Sequence, residues 1–264
     1  MKAVDHSSVE IERVDAVARL WLNDPPSLNA IDLPMVEALD HALDEVAPWA
    51  RCIILSGRGR AFSSGGKLTG GGVADPDRAP DVGATLDSHI NPLMSRLRAL
   101  PVPWISAVRG AAAGVGCAFA LAADLVVASD KGFFIQAFSR IGLVPDGGSS
   151  FLITRAIGRV RAMEMMLLGE RIPADQALAW GLVNRVVPDD ELEAATLELA
   201  AAIAAGPTRA LAMIRGLVWS ATEGDWETSL ANERRLQREA GQTRDFQEGV
   251  QAFLEKRPAR FTGA

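Results

Sequence analysis

The sequence predicts a layered α/β core built on a mainly parallel sheet, followed by a region made almost only of helices. Two observations predict it. Short runs that are apolar on both faces, Cys52 to Leu55 and Trp104 to Val108, alternate with stretches of helical periodicity, and a strand buried on both faces belongs inside a parallel sheet covered by helices. From Gly147 onward the strand signal almost vanishes, interrupted only by the run Val183 to Val187.

Taken in order, Val9 to Val14 and Val17 to Leu22 alternate around Asp15-Ala16 and read as a hairpin or meander. After the turn Asn23-Asp24-Pro25-Pro26-Ser27, the residues Leu33, Met35, Leu39, Leu43 and Val46 recur at helical spacing. The strand Cys52 to Leu55, a glycine-rich loop at Gly65 to Gly72, a helix near Leu86 to Leu100 and the strand Trp104 to Val108 follow. An apolar helix from Gly114 and the strand Leu125 to Ala128 complete the alternating part. Beyond it, Leu192, Ala195, Leu199 and Ile203 mark one helix, Pro207 opens another as a first-turn proline, and the last two start near Trp226 and Thr243. The segment Gly70 to Val82, with three Gly, two Pro and three Asp, is expected to be a mobile surface loop.

Composition narrows the function classes. With 264 residues, 48% hydrophobic and 23% charged, the chain can bury a full core. Its net charge of −6, with acids and bases interspersed, argues against nucleic acid as a partner. Cys52 and Cys117 lie inside apolar runs with no CxxC neighbour, as buried thiols in a reducing compartment would. Met1 to His6 carries no apolar signal core, and the longest small-apolar run, Ala111 to Ala123, falls short of the roughly 20 residues that span a bilayer. A cytoplasmic protein without a membrane partner is expected.

Several familiar motifs fail. Gly66-Lys67 lacks the first glycine and the final hydroxyl of a phosphate loop, since Ala61 and Leu68 stand there. Gly114-x-Gly116 enters a helix as a dinucleotide site would, but Phe119 replaces the third glycine. His6, His41 and His89 are scattered without metal spacing, and there is no G-x-S-x-G elbow. Two glycine turns able to expose backbone N–H groups remain, with a handful of carboxylates.

Seven segments in order carry a resemblance to a known family: Leu28 to Ile31, Gly59 to Leu68, Ala107 to Cys117, Gly142 to Gly148, Leu168 to Ile172, Trp180 to Val183, and the tail Gly249 to Phe261. Over nearly its whole length the chain resembles the enoyl-CoA hydratase/isomerase, or crotonase, family. The resemblance implies a crotonase-like ββα spiral core over residues 1–200 with a C-terminal helical trimerisation region over 201–264. It also implies a homotrimer or hexamer, an acyl-CoA thioester as substrate, and no cofactor beyond the coenzyme A that is part of that substrate.

The family's shared chemistry is stabilisation of a thioester enolate by two N–H donors aimed at the developing oxyanion. By resemblance these are the N–H groups of Gly66 and Val115. Flanking glycines let the backbone approach a ligand, and the helix beginning near Gly114 adds a favourable dipole. The plainer alternative is a pair of tight turns feeding buried helices. The resemblance assigns Leu28, Ala30 and Ser64 to the adenine and pantetheine end of coenzyme A, and Leu68 and Phe138 to the remaining contacts with the ester. Lys256, Arg257 and Arg260 are either phosphate contacts or a solvated helix end. Lys67 departs from the family, which usually carries Asp there.

Family members that hydrate a double bond use two glutamates, and the matching positions here are Ala118 and Phe138, neither of which transfers a proton. The isomerase branches instead place an acidic base directly after the proline of the Gly142 to Gly148 segment, which is Asp146. Enclosure by Phe138, Ile141 and Val144 is expected to raise its pKa. The alternative for Asp146 is a cap on the following helix. Isomerisation is therefore expected, with hydration by a rearranged site or a noncatalytic acyl-CoA-binding protein as the competing readings.

Overall fold

The computed structural model of the chain describes residues 8–67 and 81–264, so Leu68 and most of the expected loop at Gly70 to Val82 lie outside the described residues. Strands β1 (Val9–Val14), β2 (Val17–Leu22), β3 (Cys52–Gly57), β4 (Trp104–Val108), β6 (Leu125–Ser129) and β9 (Arg185–Val187) form one sheet in the order β1-β2-β3-β4-β6-β9. Only the β1/β2 hairpin is antiparallel. This is the mainly parallel sheet that the two-faced apolar runs imply.

Strand β3 shows why those runs are apolar throughout. Its alternate residues enter two different cores: Ile53 and Leu55 pack with helix α1 (Leu33–Val46), while Cys52 and Ile54 pack with helix α6 (Leu192–Ala204). Helix α1 starts on a built cap, with the Asp32 carboxylate accepting the Met35 N–H at 3.1 Å and Pro34 in the first turn.

A second sheet was not apparent from the sequence. Strands β5 (Ala111–Ala113), β7 (Phe133–Ile135) and β8 (Arg171–Pro173) pair in the order β5-β7-β8. The region after Gly147 is therefore interrupted twice, by β8 and by β9, and the second interruption is shorter than the run Val183 to Val187. Three alanines carry no strand preference of their own. Ala112 gains strand geometry from long-range bridges to Ser63 on one side and Phe134 on the other.

The helices that frame the site are α2 (Asn91–Arg98), continuous with a π-helical turn at Leu86–Ile90, α3 (Val115–Leu121) and α4 (Ser149–Leu168). Helix α5 (Ala174–Trp180) follows β8, and α6 runs across position 200 and lies on the main sheet. A turn at Gly206-Pro207 then leads to α7 (Thr208–Ala221), α8 (Trp226–Ala240) and α9 (Arg244–Glu255). Pro207 is the N-cap of α7, one place before the expected first turn. Thr243 caps α9 by accepting the Phe246 N–H at 3.1 Å.

Candidate active site

The first turn is held from below by a buried asparagine. Asn29 is fully buried with φ 56°, a left-handed conformation that Asn tolerates well. Its Nδ2 donates to the carbonyls of Arg58 at 3.0 Å and Ala61 at 2.8 Å, and its Oδ1 accepts the Asp24 N–H at 2.9 Å. Ser63, also fully buried, donates to the Asn29 carbonyl at 2.8 Å and accepts the Gly65 N–H at 3.1 Å. The turn that follows is thus locked by side chains that point inward, away from any ligand.

Gly66 forms a parallel bridge with Ile31 in which Ile31 N–H donates to Gly65 O at 2.8 Å and Lys67 N–H donates to Ile31 O at 2.9 Å. Strand alternation then turns the N–H of Gly66 to the opposite side, where no acceptor among the described residues takes it. The Lys67 ammonium lies 2.9 Å from the Asp32 carboxylate, which raises its pKa and ties the turn to the start of α1.

The second turn supplies a matching group. Gly114 has φ 51° and donates its N–H to Ile135 O at 2.9 Å, and Val115 is the first residue of α3. A first-turn N–H has no partner inside its own helix, and that of Val115 has none elsewhere among the described residues. The two turns touch: a Cβ on Gly66 would lie 4.0 Å from Val115 Cγ1. Two free N–H donors on adjoining turns suit an oxygen that gains negative charge.

The segment that carries Asp146 packs beside the second turn. The residue after Asp146, Gly147, packs so closely on α3 that a Cβ there would meet Ala118 Cβ at 3.0 Å, Val115 Cγ2 at 3.2 Å and Ile90 Cγ2 at 4.0 Å. Burial pushes the Asp146 carboxyl up to about 6, and its Oδ1 is buried without a hydrogen-bond partner among the described residues. The side chain does not cap α4. That helix has Gly148 at its N-cap with no side-chain bond, and only the backbone carbonyl of Asp146 serves it, accepting the Ser149 N–H at 2.9 Å.

The structure brings together Gly66, Val115, Phe138 and Asp146. The Phe138 ring lies with Cζ 3.4 Å from where a Cβ on Gly114 would sit, and Ala118 packs against Gly147. Ile141 and Val144 do not enclose the carboxylate as expected, being 54% and 79% exposed, because the chain from Gly142 to Val144 runs over the surface. Leu28 O accepts the Ser64 N–H at 2.8 Å, while Ala30 O accepts nothing among the described residues and remains available to a ligand. Arg257 is not a free cation, since Glu248 at 2.6 Å and Glu255 at 2.6 Å neutralise it. Gln136, buried between Gly114 and Ser149, is a residue the sequence did not single out.

Comparison with known proteins identifies a family. The family model described as enoyl-CoA hydratase/isomerase matches residues 12–264. A 1,2-epoxyphenylacetyl-CoA isomerase of Escherichia coli (strain K12) is 41% identical over 249 residues, covering 94% of this chain and 95% of the relative. A probable enoyl-CoA hydratase of Rhodobacter capsulatus is 40% identical, covering 98% of this chain and 100% of the relative. The crystal structure of an enoyl-CoA hydratase from Bacillus anthracis superposes with a TM-score of 0.91 at 28% identity, over 97% of this chain and 100% of that one. The fold is that of the crotonases, and the chain belongs to the enoyl-CoA hydratase/isomerase family as an acyl-CoA enzyme.

Proposed function

We propose that the enzyme moves a carbon–carbon double bond in an acyl-CoA thioester. The N–H groups of Gly66 and Val115 hold the thioester oxygen as it becomes an enolate oxyanion. Asp146 takes a proton from the carbon next to the thioester and returns it two carbons further along. The observation that carries this reading is the Asp146 carboxyl itself, with a buried, unpartnered Oδ1 and a pKa pushed up to about 6, close enough to neutrality to serve both halves of a proton shuttle. Ala118 and Phe138, at the positions the resemblance assigns to the two glutamates of hydrating relatives, supply no acid to activate water.

The adenosine end of the ester would meet Leu28, Ala30 and Ser64, with Ala30 O free to accept from the adenine amine. We read the helices beyond Gly206 as the interface of a homotrimer, on the support of Phe246, Val250, Phe253 and Leu254, which α9 leaves exposed. A cytoplasmic location fits two buried, free cysteines.

The test is incubation with 2-enoyl-, 3-enoyl- and ring-epoxide acyl-CoA esters, with products read by mass and double-bond position. Conversion of a 3-enoyl ester to the conjugated 2-enoyl ester, or rearrangement of the ring epoxide, at unchanged mass is expected. Rapid gain of one water by the 2-enoyl ester would replace this reading with hydration.

A further inference from the structure

Gln136 is fully buried at the end of β7 and has no part in the chemistry above. Its Nε2 donates to Ser149 Oγ at 3.2 Å and reaches Gly114 O at 3.5 Å. The neighbouring Ile135 O accepts the Gly114 N–H at 2.9 Å. Ile135, the last residue of β7, and Gln136 just after it therefore reach both hydrogen-bonding groups of Gly114, whose carbonyl also accepts the Ala118 N–H of α3 at 3.2 Å.

The carbonyl of Gly114 and the N–H of Val115 belong to one planar trans peptide, so they point in opposite directions and move together. A contact that fixes the carbonyl fixes the aim of the N–H. The same Nε2 donates to the hydroxyl of Ser149, whose own N–H donates to Asp146 O at 2.9 Å. The path Val115, Gly114, Gln136, Ser149, Asp146 joins the second oxyanion donor to the base through one side chain. Cys117 lies against the same amide, and burial pushes its thiol up to about 12, so it adds no charge there.

We propose that Gln136 is a positioning residue that holds the Val115 N–H and the Asp146 segment in one fixed relation, so that the enolate is stabilised while the proton is in transit. The proposal rests on the reading of Val115 and Asp146 given above.

The test compares Gln136→Met, Ser149→Ala, Ser149→Thr and the Gln136→Met/Ser149→Ala double variant, on whichever acyl-CoA ester the wild type converts. Circular dichroism and melting temperature come first. For folded Gln136→Met, kcat is expected to fall roughly tenfold or more, with KM within about twofold, because an interaction realised in the transition state is lost. Ser149→Ala should lose less, Ser149→Thr should restore the rate, and the double variant should be no slower than Gln136→Met, as residues acting through one contact are non-additive. Wild-type kcat in folded Gln136→Met, a rise in KM alone, or losses that multiply in the double variant would overturn the proposal. If Gln136→Met does not fold, the serine pair decides: wild-type kcat in Ser149→Ala overturns it, and a lowered kcat restored by Thr supports it. Full activity in Asp146→Asn would instead refute the underlying reading, whatever the Gln136 variants do.

Discussion

Gly114 turns its missing side chain toward Gly65, so that a Cβ on Gly114 would sit 3.9 Å from the Gly65 Cα. The two turns of the site meet backbone to backbone at this point. Gly65 has φ 96°, and a Cβ on it would lie 2.9 Å from the carbonyl oxygen of Ala113, so both conformation and space demand glycine there.

The neighbouring glycine is under no such demand. Gly66→Ala would add a methyl whose nearest neighbour is Val115 Cγ1 at 4.0 Å, so this variant is expected to keep its fold and a rate within about tenfold of wild type. Gly66→Pro deletes the N–H, and the loss of one oxyanion donor costs about 10² to 10³ in kcat. Gly65→Ala, by contrast, is expected to lower the melting temperature sharply. Melting curves, oligomer size and kcat measured on all three variants separate the roles.

Asp146→Asn is expected to lose at least about 10² in kcat while binding the CoA ester nearly as well as wild type. Its stability should change in the opposite direction. Burial raises this carboxyl from 3.8 to about 6, so the folded state keeps a proton that the unfolded state releases as pH rises through that window. Stability therefore falls between about pH 4 and 6 and stays reduced above it. Removing the group should stabilise the protein by about 1 to 3 kcal/mol at pH 8 and by nothing below about pH 4. Urea denaturation at the two pH values measures this; a helix-capping role would give a loss at pH 8.

The same carboxyl sets a pH profile. The proposed base must be ionised in the free enzyme, so kcat/KM should rise with pH and reach half its plateau near the raised value of about 6. A flat profile down to pH 4.5 would assign the proton transfer to another group.

Arg215 and Asp124 form a buried ion pair at 2.6 Å, and Arg215 also donates to the carbonyls of Leu100 and Leu97. Burial raises the Asp124 carboxyl, and Arg215 opposes that rise. Arg215→Met strands the carboxylate and is expected to cost about 3 to 5 kcal/mol. The Arg215→Met/Asp124→Asn double variant should be less destabilised than the single one, which denaturant melts of the three proteins will show.

The sequence announces some of this molecule clearly. Cys52 to Leu55 and Trp104 to Val108 are apolar on both faces because each strand feeds two cores, and that pattern is visible without coordinates. Strands β5, β7 and β8 are not, since three-residue strands have no room for a period and Ala111 to Ala113 extend only because distant residues pair with them. Gly66, Val115 and Asp146 were named through family resemblance. Gln136 was not, because its contacts with Gly114 and Ser149 span 22 and 13 residues and leave no local pattern. The exposure of Ile141 and Val144 escaped for the opposite reason: local apolar composition suggested an enclosure that the path of the chain does not make.

The two N–H groups that lack a partner among the described residues are main-chain atoms, held by the bridge between Ile31 and Gly66 and by the pairing of Gly114 with Ile135. A single codon change elsewhere in the chain can erase a carboxylate, but only a proline at the donor itself deletes an N–H. If those groups hold the enolate, that capacity is inherited with the fold, while the fate of the enolate depends on a few exchangeable side chains at positions 118, 138 and 146. On that reading, substitutions at those positions can exchange one reaction for another while the grip on the thioester is kept.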